Sequence, residues 1–391
     1  MISSIVKENL KNASWIRKMF VEGERLKKEL GAENVFDYSL GNPYFEPPKS
    51  LIDTLKEIVN SDELGTHRYM DNLGYVGARQ KIAESYVGKG DHTGVMMTVG
   101  AAGGINVFLR TVLEPGDEVV IIAPYFAEYT FYIANNNGKR VVISSDPNTF
   151  EPKLDELASV MSEKTRVVIV NTPHNPTGAV YSEQTLKNIA DILVQAEKKF
   201  GREIYLISDE PYYSIIYDGV KLPFIHDIYK HSVIISSFSK SLGLAGERIG
   251  YISVNPDIED LQEIMSGLSF AGRTLGFVNC PAIWQRVIEK APVEPVDINL
   301  YDQRRKALLS VLADAGMETA APKGAFYLFP KSLEEDDIAF VMKAKEFGIL
   351  LVPGSGFGYP GHVRLSYCVD LDMIERSREA FKKLGEYYKA R

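Results

Sequence analysis

The sequence predicts an α/β fold in which a mostly parallel sheet is covered by helices and accompanied by a smaller α+β domain. Between residues 95 and 254, short continuous apolar runs alternate with helical patterns such as Ser182–Lys199. Strands that are apolar along their whole length are typical of a parallel sheet with helices on both faces. After about Asn299 the pattern changes to helices separated by isolated short strands, which indicates a second unit.

Six apolar runs are the predicted strands of the large unit. They are Val95–Val99, Val119–Ile122, Val141–Ile143, Val167–Val170, Ile204–Ile207 and Val233–Ile235. The turn sequence Glu114-Pro115-Gly116-Asp117 lies directly before the second run and supports the strand boundary there.

Both ends of the chain are assigned to the smaller unit. The first 30 residues have the spacing of an amphipathic helix that ends at Gly31. The apolar side of that helix carries Trp15, Ile16, Met19 and Phe20. Towards the other end we predict helices over 299–315, 336–347 and from 370 onward, with short strands at 325–329, 349–352 and 363–367. We therefore expect a large domain over residues 46–290 and a small domain formed by residues 1–45 together with 291–391.

The composition argues against nucleic-acid and membrane partners. Of the 391 residues, 45% are hydrophobic and 25% charged, which is ordinary for a globular protein. A net charge of -8 disfavours binding to anionic polymers or anionic membranes. Two cysteines cannot build a disulfide framework, and the N-terminus lacks the apolar segment of a signal peptide, so we expect a cytoplasmic location. The histidines are not spaced as metal ligands, so no metal site is predicted.

The most informative segment is Ser237-Phe238-Ser239-Lys240, followed eight residues later by Arg248. It begins where the last predicted strand of the large unit ends, so the lysine lies at the rim of the sheet. Desolvation lowers the pKa of an ammonium group and can make it a neutral nucleophile toward a carbonyl. The two serine hydroxyls and the arginine suit a phosphate dianion. An aldehyde that carries a phosphate satisfies both requirements, and pyridoxal 5′-phosphate is such a molecule.

Other polar residues follow predicted strands at the same edge, where open parallel sheets bind ligands. Asp209 comes directly after a buried strand and could pair with a protonated ring nitrogen, although an N-cap role is an alternative. Glu210 is the rival carboxylate, but it should point to the other face. Asn175 lies in a turn made rigid by two prolines, and Gly100-Ala101-Ala102 precedes a helix whose N-terminus suits an anion. Either segment could equally be a structural turn.

A further arginine, Arg364, begins a strand-like run near the C-terminus. Its planar guanidinium matches a carboxylate through two parallel hydrogen bonds. On spacing alone, an ordinary surface or domain-interface arginine is the simpler interpretation.

The order of these motifs resembles that of the class I/II aminotransferases. Gly41-Asn42-Pro43, Asn175-Pro176-x-Gly178, Asp209-x-x-Tyr212, Ser237-x-Ser239-Lys240 with Arg248, and Arg364 occur in the sequence of that family. The chain is similar to fold-type I, aspartate aminotransferase-like enzymes that depend on pyridoxal 5′-phosphate, over nearly its whole length. The resemblance implies a seven-stranded sheet and an exchange of the amino group between an L-amino acid and a 2-oxo acid in amino acid metabolism.

The resemblance also implies a role for individual residues. Lys240 would form the Schiff base with the cofactor and move the substrate proton, with Asp209 and Tyr212 as the other catalytic residues. The implied cofactor contacts are Asp209 to the ring nitrogen, Asn175 and Tyr212 to the phenolic oxygen, Phe126 to the ring face, and Ala101, Ala102, Ser237, Ser239 and Arg248 to the phosphate. Arg364, Asn42, Gly41 and Asn175 would bind the substrate. Tyr69 would reach the phosphate of a partner subunit, which implies a homodimer with shared sites.

Some positions depart from the family pattern. Phe126 stands where many relatives have tryptophan, and Tyr44 where many bacterial relatives have an acidic residue. Arg68 and Arg273 are the candidates for a second arginine that reads a distal carboxylate, and each could equally be a surface residue. The donor, aspartate or aromatic, and a 2-oxoglutarate acceptor therefore stay open. A C–S β-lyase on the same fold, or a pyridoxal-phosphate-binding regulator without activity, are the alternative functions.

Overall fold

The structure is a computed structural model that describes residues 2–11, 15–61, 63–294 and 297–390. Its α-helices are α1 (Ser4–Lys11), α2 (Trp15–Leu30), α3 (Lys49–Asn60), α4 (Val76–Ile82), α5 (Gly100–Val112), α6 (Tyr129–Asn135), α7 (Leu154–Val160), α8 (Glu183–Phe200), α9 (Ile225–Ile228), α10 (Phe238–Ser241), α11 (Leu261–Thr274), α12 (Ala282–Lys290), α13 (Ile298–Asp314), α14 (Asp337–Glu346) and α15 (Leu371–Lys389). Its strands are β1 (Phe36–Asp37), β2 (Val95–Val99), β3 (Glu118–Ile122), β4 (Lys139–Ile143), β5 (Thr165–Asn171), β6 (Tyr205–Asp209), β7 (Ser232–Ser237), β8 (Ile249–Val254), β9 (Tyr327–Leu328), β10 (Ile349–Leu350), β11 (Val352–Pro353) and β12 (Val363–Ser366).

The central sheet has seven strands in the order β2-β8-β7-β6-β5-β3-β4. Strands β4, β3, β5, β6 and β7 are parallel, whereas β8 runs antiparallel to both of its neighbours. Separate apolar clusters cover its two faces, one including Leu206 and the other Ile207. All six predicted strands are confirmed within two residues at each end, and so is the mostly parallel α/β fold.

Strand β8 was not among the predicted strands. Its residues are all buried, but Gly250 and Ser253 interrupt the apolar run that identified the other strands. The connection from β7 to β8 also lacks a long helix, because it contains only α10 and a short turn over Ala245–Glu247. The antiparallel direction follows from that short connection, since parallel strands need a long crossover.

Both ends of the chain meet in a second core. Its buried members include Met19 and Tyr38 from the N-terminal part and Phe340 and Phe381 from the C-terminal part. Helices α13 and α15 pack together, and β1 pairs in parallel with β10. This core lies next to the carboxyl ends of the central strands, because it also contains Tyr212 and Tyr327.

The predicted elements of this core needed correction in detail. Helices α1 and α2 cover most of the predicted N-terminal helix, and residues 12–14 between them lie outside the described residues, as do the side chains of Ile16 and Phe20. The predicted end at Gly31 is confirmed. The strand predicted at 325–329 contains only two paired residues, and the run at 349–352 divides between two sheets. Within the described ranges, no helix has the length and apolar character needed to cross a bilayer.

Candidate active site

A cavity of about 290 Å³ opens where β5, β6 and β7 end and α5 begins. Twelve of the fourteen predicted site residues line it: Gly41, Ala101, Ala102, Phe126, Asn175, Asp209, Tyr212, Ser237, Ser239, Lys240, Arg248 and Arg364. The carboxyl ends of parallel strands meet at one edge of the sheet, which explains why residues so far apart in sequence converge here.

Lys240 lies in α10, the single turn that follows β7. Its Nζ atom donates a hydrogen bond to the carbonyl oxygen of Gly41 at 2.5 Å. Burial lowers the pKa of the lysine to about 8, and the nearby Arg364 and Arg248 act in the same direction. The amine is therefore neutral in a substantial fraction of molecules near neutral pH, which is the form that attacks a carbonyl.

Asp209 ends β6 with its carboxyl group buried in the cavity wall. Tyr129 donates its hydroxyl proton to Oδ2, whereas Oδ1 has no hydrogen-bond partner among the described residues. Burial raises the pKa of Asp209 to about 7. The predicted alternative, that Asp209 caps a helix, is wrong, because the chain turns after it and the next helix begins at Ile225.

Glu210 points to the opposite face of the sheet, as strand alternation requires. Ser208, two residues earlier on the same face, donates its hydroxyl to Oε1 of Glu210 at 2.5 Å. The Glu210 side chain lines a separate cavity of about 100 Å³ together with Tyr213 and Tyr251. Of these two neighbouring carboxylates, Asp209 is therefore the one that presents an oxygen to the main cavity.

Arg364 lies on β12 and is only 1% exposed. Its Nη2 donates to the carbonyl oxygen of Ser39 at 2.6 Å and its Nη1 to Oδ1 of Asn175 at 3.2 Å. Its guanidinium packs on the ring of Tyr327 at 4.6 Å, and Nε has no partner among the described residues. The surface alternative for Arg364 is wrong, because the side chain is buried and directed into the cavity wall.

Asn175 and Tyr212 stand on the same side of the cavity. Oδ1 of Asn175 accepts from Arg364, so the amide N–H groups of Asn175 are the donors left for a ligand. The Asn175 backbone N–H is held by Oδ1 of Asn171, whose own amide donates to the carbonyl oxygen of Asp209 at 2.8 Å. Asn171 therefore fixes the turn after β5 against the end of β6.

The opposite end of the cavity is cationic. Arg248 lies in the left-handed region with φ 53°, and its Nη1 donates to the carbonyl oxygen of Ala245 at 2.9 Å. A Cβ atom on Gly100, at φ +67°, would lie 2.6 Å from Nη2 of Arg248. Glycine there lets the guanidinium lie against the N-terminus of α5, where unpaired backbone N–H groups favour an anion.

Two predicted residues do not line the cavity. Asn42 is exposed. Tyr69 is 89% exposed and borders another cavity of about 350 Å³, together with Arg68 and Phe277.

Among the polar side chains that line or support the cavity, sequence reasoning missed Asn171, Tyr129, Tyr132 and Tyr327. Asn171 was inside the turn motif that singled out Asn175, so its place at a strand end could have identified it. The three tyrosines carry no such signal, because each lies in a segment that also fits an ordinary apolar helix or strand.

The donor set fits pyridoxal phosphate. Oδ1 of Asp209 is a buried acceptor that lacks a proton donor, as a pyridinium N–H would supply. Lys240 is an amine of lowered pKa in the same cavity. The corner formed by Arg248, Ser237 and Ser239 offers a cation and two hydroxyls to a phosphate.

Comparisons with known proteins agree. The model of the family "Aminotransferase class I and II" matches residues 33–381. An aspartate aminotransferase of Bacillus subtilis is 30% identical over 92% of this chain and 94% of its own length. Aromatic-amino-acid aminotransferase 2 of Thermococcus litoralis is 29% identical over 95% of this chain and 96% of its own. A solved amino transferase from Eubacterium rectale is 39% identical, with a TM-score of 0.95 over 99% of both chains. This chain therefore belongs to the class I and II aminotransferases, the pyridoxal-phosphate-dependent transaminases of fold type I.

Proposed function

We propose that the cavity is the transamination site, with Lys240 as its catalytic amine and Asp209, Asn175 and Tyr212 around the cofactor ring. The observation that carries this assignment is the presence of a lysine of lowered pKa and a half-satisfied buried carboxylate in one cavity. When bound, pyridoxal phosphate withdraws electrons from the substrate Cα and so acidifies its proton. Asp209 would keep the ring nitrogen protonated through the free Oδ1.

In this proposal Lys240 takes the proton from Cα of the amino acid. It would return that proton to the cofactor carbon bonded to the reacting nitrogen. Its lowered pKa matches that work, because a general base is most effective when its pKa lies near the operating pH. The carbonyl of Gly41 is the only hydrogen-bond partner of Nζ among the described residues, so the amine is not held by a carboxylate.

Arg364 binds the substrate α-carboxylate. It approaches the cavity with Nε unpartnered, and the Ser39 carbonyl, the Asn175 amide and the Tyr327 ring hold its other faces. A buried, pre-oriented guanidinium recognises a planar carboxylate better than a flexible ammonium would. Gly41 and the exposed Asn42 complete this side of the substrate site.

Phosphate and ring contacts complete the assignment. The α5 N-terminus at Ala101 and Ala102, with Ser237, Ser239 and Arg248, holds the phosphate. Phe126 would cover one face of the ring, and its own ring packs edge-on against Tyr129 with the centroids 5.6 Å apart.

For the donor we propose an amino acid with an uncharged, aromatic side chain. Among the described lining residues the cations are Lys240, Arg248 and Arg364, and each already has a role. The rest of the wall is largely apolar or aromatic and includes Ile105 and Tyr132. A dicarboxylate would need another cation, and Arg68 beside the exposed Tyr69 is the candidate.

Mixing the cofactor-loaded enzyme with single amino acids tests the donor. We expect phenylalanine and tyrosine to bleach the cofactor absorbance faster than aspartate does. Faster conversion of aspartate would contradict an aromatic donor. If Arg68→Ala loses the conversion of aspartate, Arg68 is the cation that binds the side-chain carboxylate.

The assembly and location are proposals that rest on fewer observations. A homodimer with shared sites accounts for Tyr69, which is 89% exposed and lies outside the cavity of its own chain. A cytoplasmic location agrees with the two buried free cysteines, Cys280 and Cys368, and a biosynthetic role is proposed from the resemblance alone. We propose the division into residues 46–290 and 1–45 with 291–391 because the second core joins both ends of the chain, although Tyr212, Ile215 and Tyr217 of the large domain also pack in it.

Borohydride reduction of the holoenzyme, followed by peptide mass mapping, tests the site assignment. We expect the adduct on Lys240 and none in Lys240→Ala, whereas Lys323→Ala, at a half-exposed ion pair with Asp218, should keep it. An adduct elsewhere, or an unmodified Lys240 in a coloured enzyme, would overturn the assignment.

A further inference from the structure

Tyr327 connects two groups of the proposed site that are far apart in sequence, Tyr212 and Arg364. It lies on β9, is 2% exposed and pairs with Ser366 of β12. Its hydroxyl oxygen is 2.9 Å from that of Tyr212. Its ring lies under the guanidinium of Arg364 at 4.6 Å.

The two hydroxyls can share only one proton between them. Neither hydroxyl has another hydrogen-bond partner among the described residues. If Tyr212 donated to Tyr327, the Tyr327 proton would have no acceptor among the described residues, and the Gly41 backbone packed against that hydroxyl leaves little room for a ligand to supply one. If Tyr327 donates, the Tyr212 proton is free to turn into the cavity, and both protons are used once an acceptor is present.

The Tyr327 hydroxyl is also held in position. A Cβ atom on Gly41 would lie 2.1 Å from it, so the hydroxyl packs directly against the Gly41 backbone. Burial raises the pKa of Tyr327, while Arg364 lowers it and Tyr212 and Cys368 are its other ionisable neighbours. The hydroxyl therefore keeps its proton across the neutral range and remains a donor.

We propose that Tyr327 is a positioning residue that donates to Tyr212 and thereby directs the Tyr212 proton at the phenolic oxygen of the cofactor. This inference rests on the proposed function, which assigns Tyr212 to that oxygen. A chain of two hydroxyls polarises the terminal O–H bond, so Tyr212 becomes a stronger donor than an isolated tyrosine. A hydrogen bond donated to a charged oxygen stabilises the charged form.

The test is a spectrophotometric pH titration of the holoenzyme, comparing the wild type with Tyr327→Phe, Tyr212→Phe and the double variant. Losing the donor to the phenolic oxygen raises the midpoint of the visible spectral change. We expect a rise of about one to two pH units in Tyr212→Phe and about half a unit in Tyr327→Phe. The double variant should titrate as Tyr212→Phe does, because Tyr327 acts through Tyr212.

Tyr367→Phe is the matched control. Tyr367 is as deeply buried and donates to another tyrosine, Tyr217, at 3.2 Å in the same core, but neither residue lines the cavity. Tyr367→Phe should leave the midpoint of the spectral change unchanged. Thermal unfolding of the apoproteins compares how far Tyr327→Phe and Tyr367→Phe each destabilise the fold. The inference is overturned if Tyr327→Phe leaves the midpoint where it is in the wild type. It is also overturned if adding Tyr327→Phe to Tyr212→Phe raises the midpoint further. In both cases Tyr212 keeps its role. A midpoint that Tyr212→Phe does not move overturns both.

Discussion

Tyr129 donates its hydroxyl proton to Oδ2 of Asp209 and leaves Oδ1 of the same carboxylate buried without a partner in the described part of the chain. Burial alone raises the pKa of Asp209, and the Tyr129 hydrogen bond opposes that rise. The pair thus keeps a buried carboxylate ionisable while reserving one oxygen for a ligand.

Tyr129→Phe should weaken cofactor binding. A hydrogen bond to a charged group contributes about 1.5 kcal/mol or more, which corresponds to roughly a tenfold rise in the cofactor dissociation constant. Equilibrium dialysis of the apoenzyme measures it. Tyr205→Phe is the control that should bind the cofactor normally, because Tyr205 lies on the same strand as Asp209 but donates its hydroxyl to Glu203. Equal affinities in the two variants would contradict the role of Tyr129.

The rate of cofactor capture should depend on pH through Lys240. Its pKa is lowered to about 8 by burial, so the reactive neutral amine increases as pH rises through 8 and changes little above about pH 9. At pH 7 roughly a tenth of the lysine is neutral, far more than for an exposed lysine. Stopped-flow absorbance after mixing apoenzyme with cofactor follows this step. A rate that continues to rise in proportion to hydroxide up to pH 10 would show that Lys240 has an ordinary pKa.

Arg364→Lys should raise the KM for the donor about 10- to 100-fold while the cofactor spectrum stays that of the wild type. Lysine keeps the charge but loses the planar pair of hydrogen bonds to a carboxylate. Steady-state kinetics with donor and acceptor varied in turn give the values. Arg376→Lys, an exposed pair with Asp372 on α15, is the control. An unchanged KM would place the carboxylate site elsewhere.

Gly41→Ala should destabilise the protein and impair the site. The added Cβ would lie 2.1 Å from the buried Tyr327 hydroxyl, so the ring or the Gly41 backbone must shift. Overpacking of this kind costs about 1–3 kcal/mol. Denaturant unfolding measures the loss. Gly246→Ala is the control, because there is open space around the new Cβ. Adding Tyr327→Phe to Gly41→Ala should restore part of the lost stability, because it removes the hydroxyl that the new Cβ meets.

Mixing two impaired variants should restore activity if the sites are shared between subunits. Tyr69→Ala and Lys240→Ala each spoil every site of their own homodimer, but a mixed dimer contains one site with both residues intact. Random reassortment of equal amounts then regenerates about a quarter of the wild-type sites. Activity measured before and after subunit exchange tests this. If mass spectrometry confirms that subunits have exchanged and activity still does not return, Tyr69 is excluded from the partner's site.

Polar residues that follow apolar strands could be predicted from the sequence alone. Asp209, Asn175 and Lys240 each come at the end of a run that reads as a buried strand, and parallel strands bring those ends together. Asn42 and Tyr69 were predicted from the resemblance, and their places outside the cavity could not be seen in the sequence. Their proposed contacts depend on the substrate and on a second subunit.

The sequence by itself determined the six apolar strands of the large unit, which edge of the sheet carries the chemistry and which family the chain resembles, because those depend on local periodicity and on ordered motifs. Only the tertiary structure decided the strand order, the direction of β8 and the tyrosines that complete the site. Tyr129 lies 80 residues from Asp209, and Tyr327 lies 115 residues from Tyr212. Such pairs form because packing brings together hydroxyls that must find partners once buried, and no local pattern records that choice.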